Sequence, residues 1–183
     1  MVNKIERFDL TKIKTGDILV VQTKSWLANL IQQFQNLQNK EFGKYNHAMV
    51  AWWVYDKLFV TEAIESGIVV TNFEEVYMKE SKYKSILLLK PKYYVDGSKV
   101  GEYMLNYLGK TRYGFVNLLF YQPIKILTGV WLGPKNKDDI HFICGVWAAH
   151  IANYTKKGVI LDESEVAPVD LCLNSNFTHY IVK

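Results

Sequence analysis

Apolar and polar positions alternate along this chain with a period that changes from block to block, and each change marks an element. Residues 18–21, Ile-Leu-Val-Val, follow the turn Lys14-Thr15-Gly16-Asp17 and predict a short strand. Trp26, Leu27, Leu30, Ile31 and Phe34 then recur at helical spacing behind Ser25, a good N-cap, and predict a helix to about Gln38. A loop over 41–46 precedes residues 47–54, which are apolar at odd and even positions alike, as in a strand covered on both faces. Strands are expected again over 58–63 and, across the Ser66-Gly67 turn, over 68–71. Asn72 is placed to cap a short helix through Tyr77, and 83–89 predict a strand stopped by Pro91. Asp96 or Ser98 heads a helix in which Val100, Tyr103, Met104, Tyr107 and Leu108 form one apolar stripe, closed by Gly109. A polar loop over 133–139 leads to an apolar helix that runs to about Tyr154. The tail, 166–183, reads as loops with a last strand at 179–182. No repeat, linker or low-complexity segment interrupts the pattern, so residues 1–183 read as one domain. Strands first and an apolar helix late predict an α+β fold, a small and mostly antiparallel sheet packed against helices.

The longest apolar region is 115–132, from Phe115 to Leu132. Asn117, Gln122, Pro123, Lys125 and Gly129 interrupt it, so it does not fit a membrane-spanning helix. Two readings stand: a buried hairpin of two short helices, or a greasy surface that makes peripheral contact with a membrane or a lipid-like group. The 183 residues are 49% hydrophobic and 22% charged, within the range of soluble globular proteins. The net charge of +4 comes without a dense Lys/Arg cluster, so nucleic acid is not an expected partner, though weak attraction to anionic surfaces is allowed. Residues 1–10 lack an apolar signal-peptide core, which points to the cytoplasm or leaves the compartment open. Nothing in the pattern sets an oligomeric state.

The chemistry centres on His141-Phe142-Ile143-Cys144-Gly145-Val146-Trp147. A helix that starts near 142–143 puts Cys144 at its N-terminus, which favours negative charge on sulfur. The stronger caps, Asp138 and Asp139, would start the helix earlier and leave Cys144 in its second turn. A thiol nucleophile needs a base, and His47, heading the 47–54 strand, is the candidate. His141, three residues before Cys144, is a rival. Glu62 is the candidate to orient His47. A four-residue loop over 54–57 sets Glu62 opposite Met49 and diagonal to His47, whereas a two-residue turn at Asp56-Lys57 sets it opposite Ala51 and too far away. The absence of Asn-Gly or Asp-Gly favours the longer loop. Glu65 falls on the opposite face in either register. The backbone N–H of Cys144, with Tyr113 or Asn46, could steady an oxyanion. A zinc site from His141, Cys144, Cys172 and His179 is a weak alternative, since no CxxC knuckle is present, and no cofactor is expected. Both cysteines are expected to be reduced. Cys144 as a small buried hydrophobe, His47 as a strand-edge residue and Glu62 as a solvated strand-end carboxylate are the structural alternatives.

The order Gly16-Asp17-Ile18-Leu19, Tyr45-Asn46-His47-Ala48, Thr61-Glu62-Ala63 with Gly67-Ile68-Val69, Gly109-x3-Tyr113, Phe142-x-Cys144 and Pro168-x-Asp170-Leu171 resembles the YiiX/YaeF-like enzymes. These are the circularly permuted branch of the NlpC-type papain-like amidases, with lecithin–retinol acyltransferases as cousins. The resemblance covers about 15–175. It implies a permuted papain-like fold and a triad on Cys144, His47 and Glu62. It further implies hydrolysis or transfer at an amide or ester carbonyl through a thioester, on a peptide, acyl-amide or lipid-like substrate. Gly16-Asp17 and Pro168-x-Asp170 would then be structural. A non-catalytic module that keeps the fold is the other outcome. The chain departs from the family at Gly145-Val146, where Ser-Glu is usual, and at Gly114, where Asp is usual.

Overall fold

A computed structural model describes residues 8–79, 83–114, 116–133, 141–160 and 162–183, apart from the side chain of His141. Six strands form one antiparallel sheet. In chain order they are β1 (Ile18–Gln22), β2 (His47–Val54), β3 (Lys57–Ile64), β4 (Gly67–Asn72), β5 (Ser85–Pro91) and, last in the chain, β8 (Phe177–Ile181). Their spatial order is β4-β3-β2-β1-β5-β8. Between β5 and β8 the chain forms a two-strand parallel pair, β6 (Arg112–Tyr113) with β7 (His141–Phe142). The helices are α1 (Trp26–Gln38), α2 (Gly97–Tyr107), α3 (Gln122–Thr128), α4 (Cys144–Thr155) and α5 (Pro168–Leu173). This is a mixed α+β fold with an antiparallel sheet packed against helices.

Both faces of the sheet are covered, which explains why β2 is apolar on both sides. On one face, Val20, Ala48, Val50 and Ala63 pack against Val146, Trp147, Ala149 and Ile151 of α4 and Val100 and Met104 of α2. On the other, Leu19, Val21, Met49, Ala51 and Val60 pack with Ile13, Phe73, Tyr77 and Tyr83. Helix α4 is buried from Cys144 through Ala152, as an apolar-all-round helix must be. Trp147 pins it to the sheet through an indole N–H donated to Thr61 Oγ1 at 3.1 Å.

Local signals account for most boundaries. Ser25 Oγ accepts from the Ala28 N–H at 3.0 Å and starts α1. Asp96 accepts from the Ser98 N–H and starts α2. Gly16, with φ of +91°, lets Asp17 turn back to accept from the Lys14 N–H at 2.9 Å. Four expectations need correction. The tail is not loop up to 179: α5 forms behind Pro168, where Asp170 Oδ2 accepts from the Ala167 N–H, and β8 begins at Phe177. Pro91 does not stop β5 short but ends it, paired with Phe177 on one side only, where a missing N–H is tolerated. The 54–57 loop is tighter than expected, since Val54 pairs with Lys57 and only Tyr55, at φ of +54°, and Asp56 turn. Finally, 116–132 do not form a buried hairpin, and Phe115, the first residue of that expected region, lies outside the described residues. A wide π-type turn, Asn117–Tyr121, runs directly into α3, with Leu118 buried and Phe120, Leu127, Val130 and Leu132 exposed. No helix among the described residues is long and apolar enough to cross a membrane.

Candidate active site

Cys144 is the first residue of α4. Ile143 is the N-cap, and its side chain offers no oxygen to the first turn, so nothing competes there with the sulfur for the helix's unpaired N–H groups. The parallel β6–β7 pair delivers the chain to this point, with Phe142 packed edge-on to Trp147 and Tyr107. The later of the two expected helix starts is therefore the observed one. Asp138 and Asp139, the alternative caps, lie outside the described residues.

His47 is the first residue of β2, at the end of the sheet. It belongs to the face that carries Met49, whereas α4 crosses the opposite face. Only at a strand end can a side chain from one face meet a helix terminus from the other. The register sets Met49 opposite Glu62, as the longer-loop reading required, and Glu62 reaches diagonally to His47. His47 Nε2 lies 2.6 Å from Glu62 Oε2. That contact leaves Nδ1 as the ring nitrogen available to sulfur. Burial alone would pull the imidazole pKa down. The charge of Cys144 and a hydrogen bond to its sulfur, followed by the bond and charge of Glu62, outweigh it and raise His47 to about 10.

Glu62 is 2% exposed and is not a solvated strand-end carboxylate. Besides His47 it accepts from Thr71 Oγ1 at 2.5 Å and from the Tyr77 hydroxyl. Desolvation pushes its pKa up, but the hydrogen bond and charge of His47, with Thr71 and Tyr77, prevail and hold it below the usual carboxylate value. Sequence reasoning missed Thr71 and Tyr77. Thr71 was within reach, since it pairs with Val60 and so stands diagonal to Glu62. Tyr77 was not, because a π-type helix rather than a strand swings it back.

The remaining candidates fall in different places. Tyr113 lies half-buried, and its hydroxyl is held protonated well above the ordinary value by desolvation first, then by the charges of Cys144 and Glu65. Asn46 is buried and engaged with Thr23: Oδ1 accepts from its hydroxyl at 2.8 Å and Nδ2 donates to its carbonyl at 3.3 Å. Glu65 is not on the opposite face. It lies in the β3–β4 turn and lines the same groove as His47 and Glu62. The side chain of the rival base His141 lies outside the described residues. Cys172 is buried in α5, where desolvation pushes its thiol up to about 12, and His179 is on β8, edge-on to Phe42 at 5.1 Å. Both cysteines are free. Among the described residues no three His, Cys, Asp or Glu side chains are grouped to hold a metal ion.

Two clefts meet here. An open groove of about 540 Å³ is lined by His47, Glu62, Tyr77, Tyr113, Thr23, Lys24 and Glu65. A narrow apolar crevice with only about 20 Å³ of free space, walled by α1 and the 117–128 segment, is lined by Cys144 and Ile143. Ile31 and Asn46 border both.

The chain matches no known protein-family model, and no curated protein matches it. Among solved structures it is similar to the one described as metalloprotein yiiX from Escherichia coli O157:H7, DUF1105. The TM-score is 0.55 at 17% identity, over 92% of this chain and 96% of that one. The two share a fold. The donor sets on the described residues here do not fit a metal ion.

The departures from the resembled pattern have physical causes. A Cβ on Gly145 would lie 2.3 Å from the Val166 carbonyl oxygen and 3.0 Å from the Ala167 carbonyl carbon, both backbone. A Cβ on Gly114 would press on Ile143 at 3.3 Å, next to the cysteine. Helix α4 thus sits closer to 166–167 than a side chain permits. Gly145→Ser is expected to cost about 1–3 kcal/mol by overpacking. Thermal denaturation should read this as a fall of about 2–4 °C in Tm per kcal/mol. An unchanged Tm would mean that the 166–167 segment yields freely.

Proposed function

We propose that the chain is a cysteine hydrolase of permuted papain-like, NlpC-type fold, with Cys144 as nucleophile, His47 as acid–base and Glu62 as its orienting carboxylate. The observation that carries this reading is the imidazole itself. One ring nitrogen is 2.6 Å from a buried carboxylate, while the ring's charge is coupled to a sulfur at the first position of a helix. That arrangement suits a thiolate–imidazolium pair, the reactive form of a thiol nucleophile.

In the proposed reaction Cys144 Sγ attacks an amide carbonyl carbon and the C=O pair moves onto oxygen. The backbone N–H of Cys144 and the protonated Tyr113 hydroxyl are suited to steady that oxyanion. Asn46, already bonded to Thr23, is the weaker choice. The tetrahedral species collapses as the C–N bond breaks and His47 gives its proton to the departing amine. This leaves a thioester. Water then attacks with His47 taking its proton, the C–S bond breaks, and the acid and the thiolate–imidazolium pair are restored. Glu62 holds the ring and balances its charge throughout, and Thr71 and Tyr77 hold Glu62.

Iodoacetamide at pH 7, read by mass spectrometry of peptides, tests the pair. Cys144 is expected to alkylate about 100-fold faster than Cys172, whose thiol is buried and pushed up to about 12. Equal rates would overturn the assignment of Cys144 as an activated nucleophile.

A further inference from the structure

Thr61 and Glu62 are neighbours on β3, so their side chains leave the strand on opposite faces. Glu62 takes the His47 side and holds the imidazole. Thr61 takes the α4 side, where its hydroxyl oxygen accepts the indole N–H of Trp147 at 3.1 Å. Both partners are fully buried. Among the described residues, Thr61 is the only buried polar side chain that the six strands carry on that face. Around it the sheet offers Val20, Ala48, Val50 and Ala63. Thr61 is held in place by its own neighbours, since it pairs with Val50 of β2 and Val70 of β4 in the interior of the sheet. The indole is held as well, with the rings of Tyr103, Phe142 and Tyr107 centred 5.6, 5.3 and 5.8 Å away.

We infer that Thr61 and Trp147 are positioning residues: the bond between them sets where Cys144 stands relative to the imidazole that Glu62 holds. Trp147 follows Cys144 by three residues, one turn on along the same side of α4 and about 4.5 Å along its axis. Apolar packing is non-directional and tolerates small slides and rotations of a helix. A hydrogen bond to a fixed strand does not, because it weakens steeply when bent or stretched. The close approach of Gly145 to residues 166–167 limits how near α4 can come, but it sets no rotation about the helix axis. The helix of the nucleophile and the carboxylate of the base therefore hang from one dipeptide, Thr61-Glu62. Removing the Thr61 hydroxyl strands a buried N–H donor, which favours any turn of α4 that pairs it again. A displacement of about 1 Å between reacting groups costs on the order of 100-fold in rate. Neither Thr61 nor Trp147 lines the groove or the crevice, so the pair acts through Cys144 and not on a substrate. The inference rests on the reading of Cys144 and His47 as the reacting pair.

Iodoacetamide alkylation of Cys144 in the full chain, followed from about pH 5 to 9.5 in wild type, Thr61→Val and Thr61→Ser, tests this. Valine keeps the shape of threonine and removes only the hydroxyl. Serine keeps the hydroxyl and removes only the methyl. At about pH 6 the rate depends on the pair with His47, and there Thr61→Val is expected to be slower than wild type by about tenfold or more. Thr61→Ser should stay within about threefold of wild type at the same pH. At about pH 9.5, where an ordinary thiol ionises unaided, all three should agree within about twofold. A packing role predicts the reverse order, with serine the worse variant, because then the lost methyl matters and the lost hydroxyl does not. Thr61→Ala beside Thr61→Ser repeats the comparison, since those two differ by the hydroxyl alone, and replaces the valine arm if Thr61→Val does not fold. Equal profiles with and without the hydroxyl overturn the positioning role and leave the assignment of Cys144 intact. A wild-type Cys144 that reacts no faster than Cys172 across the whole range overturns that assignment and the positioning role with it.

Discussion

Cys144→Ala is expected to remove all turnover of any amide or ester the chain cleaves, a loss of about 10⁴- to 10⁶-fold in kcat. Loss of this size follows from the chemistry, because among the described residues no neighbouring group is poised to replace the sulfur. Cys172 is the other thiol, and it is buried in α5 with its proton held up to about 12. Tyr113 is held protonated. Cys144→Ser is the sharper experiment. It keeps the size and position of the side chain, but a hydroxyl at the helix terminus does not form the anion that pairs with imidazolium near neutral pH. Serine is therefore expected to fall nearly as far as alanine, with the Tm of both within a few degrees of wild type. Ester and anilide hydrolysis, followed with circular dichroism, checks both points. Substantial activity in Cys144→Ala would transfer the chemistry to another residue.

The parts of this centre that could be read from sequence share one property: each is set by chain-local rules. The unbroken apolar run that made 47–54 a two-faced strand also placed His47 at its head. Pairing arithmetic through the 54–57 turn then put Glu62 opposite Met49. Cys144 at the first position of α4 followed from the onset of the apolar run, against the pull of two better caps. What could not be read depends on three-dimensional folding between distant segments. His47 and α4 occupy opposite faces of the sheet, and no strand or helix period says that they meet at its end. Tyr77 reaches Glu62 from a π-type helix, whose five-residue hydrogen bonding has no simple apolar period. Helix α5 is only six residues long and carries no full amphipathic repeat, so Pro168 and Asp170 were its only signals. The 117–128 segment was ambiguous for a related reason. It buries Leu118 and exposes Phe120 and Leu127, so its hydropathy averages two environments.

Glu62→Gln is the second large effect, and its pH dependence separates a role in orienting His47 from a role in packing. The carboxylate takes two hydroxyl donors, Thr71 and Tyr77, as well as the ring N–H of His47. Glutamine keeps the shape but replaces one acceptor oxygen with an NH₂ group, so donors then face a donor. Activity at neutral pH is expected to fall about 10²- to 10⁴-fold, the range seen when the group that fixes a catalytic imidazole loses its charge. The sign of the stability effect follows from the two shifts. His47 is raised from 6.5 to about 10, so its contribution is full below pH 6.5 and is lost as pH rises towards 10. Glu62 is lowered from 4.5, so its contribution is present above pH 4.5 and is lost as pH falls through its folded value. Wild-type Tm should therefore be highest between about pH 4.5 and 6.5 and decline on either side. In Glu62→Gln the acid limb flattens, because the group that titrated there is gone. The alkaline limb moves to lower pH, because His47 keeps the charge of Cys144 but loses that of Glu62. Thermal denaturation across pH 3–10 of both proteins, roughly the window these shifts span, reads both limbs directly. An alkaline limb at the same pH in both would mean that Glu62 does not hold the charge on His47, leaving Thr71 and Tyr77 to support a packing element and not an acid–base centre.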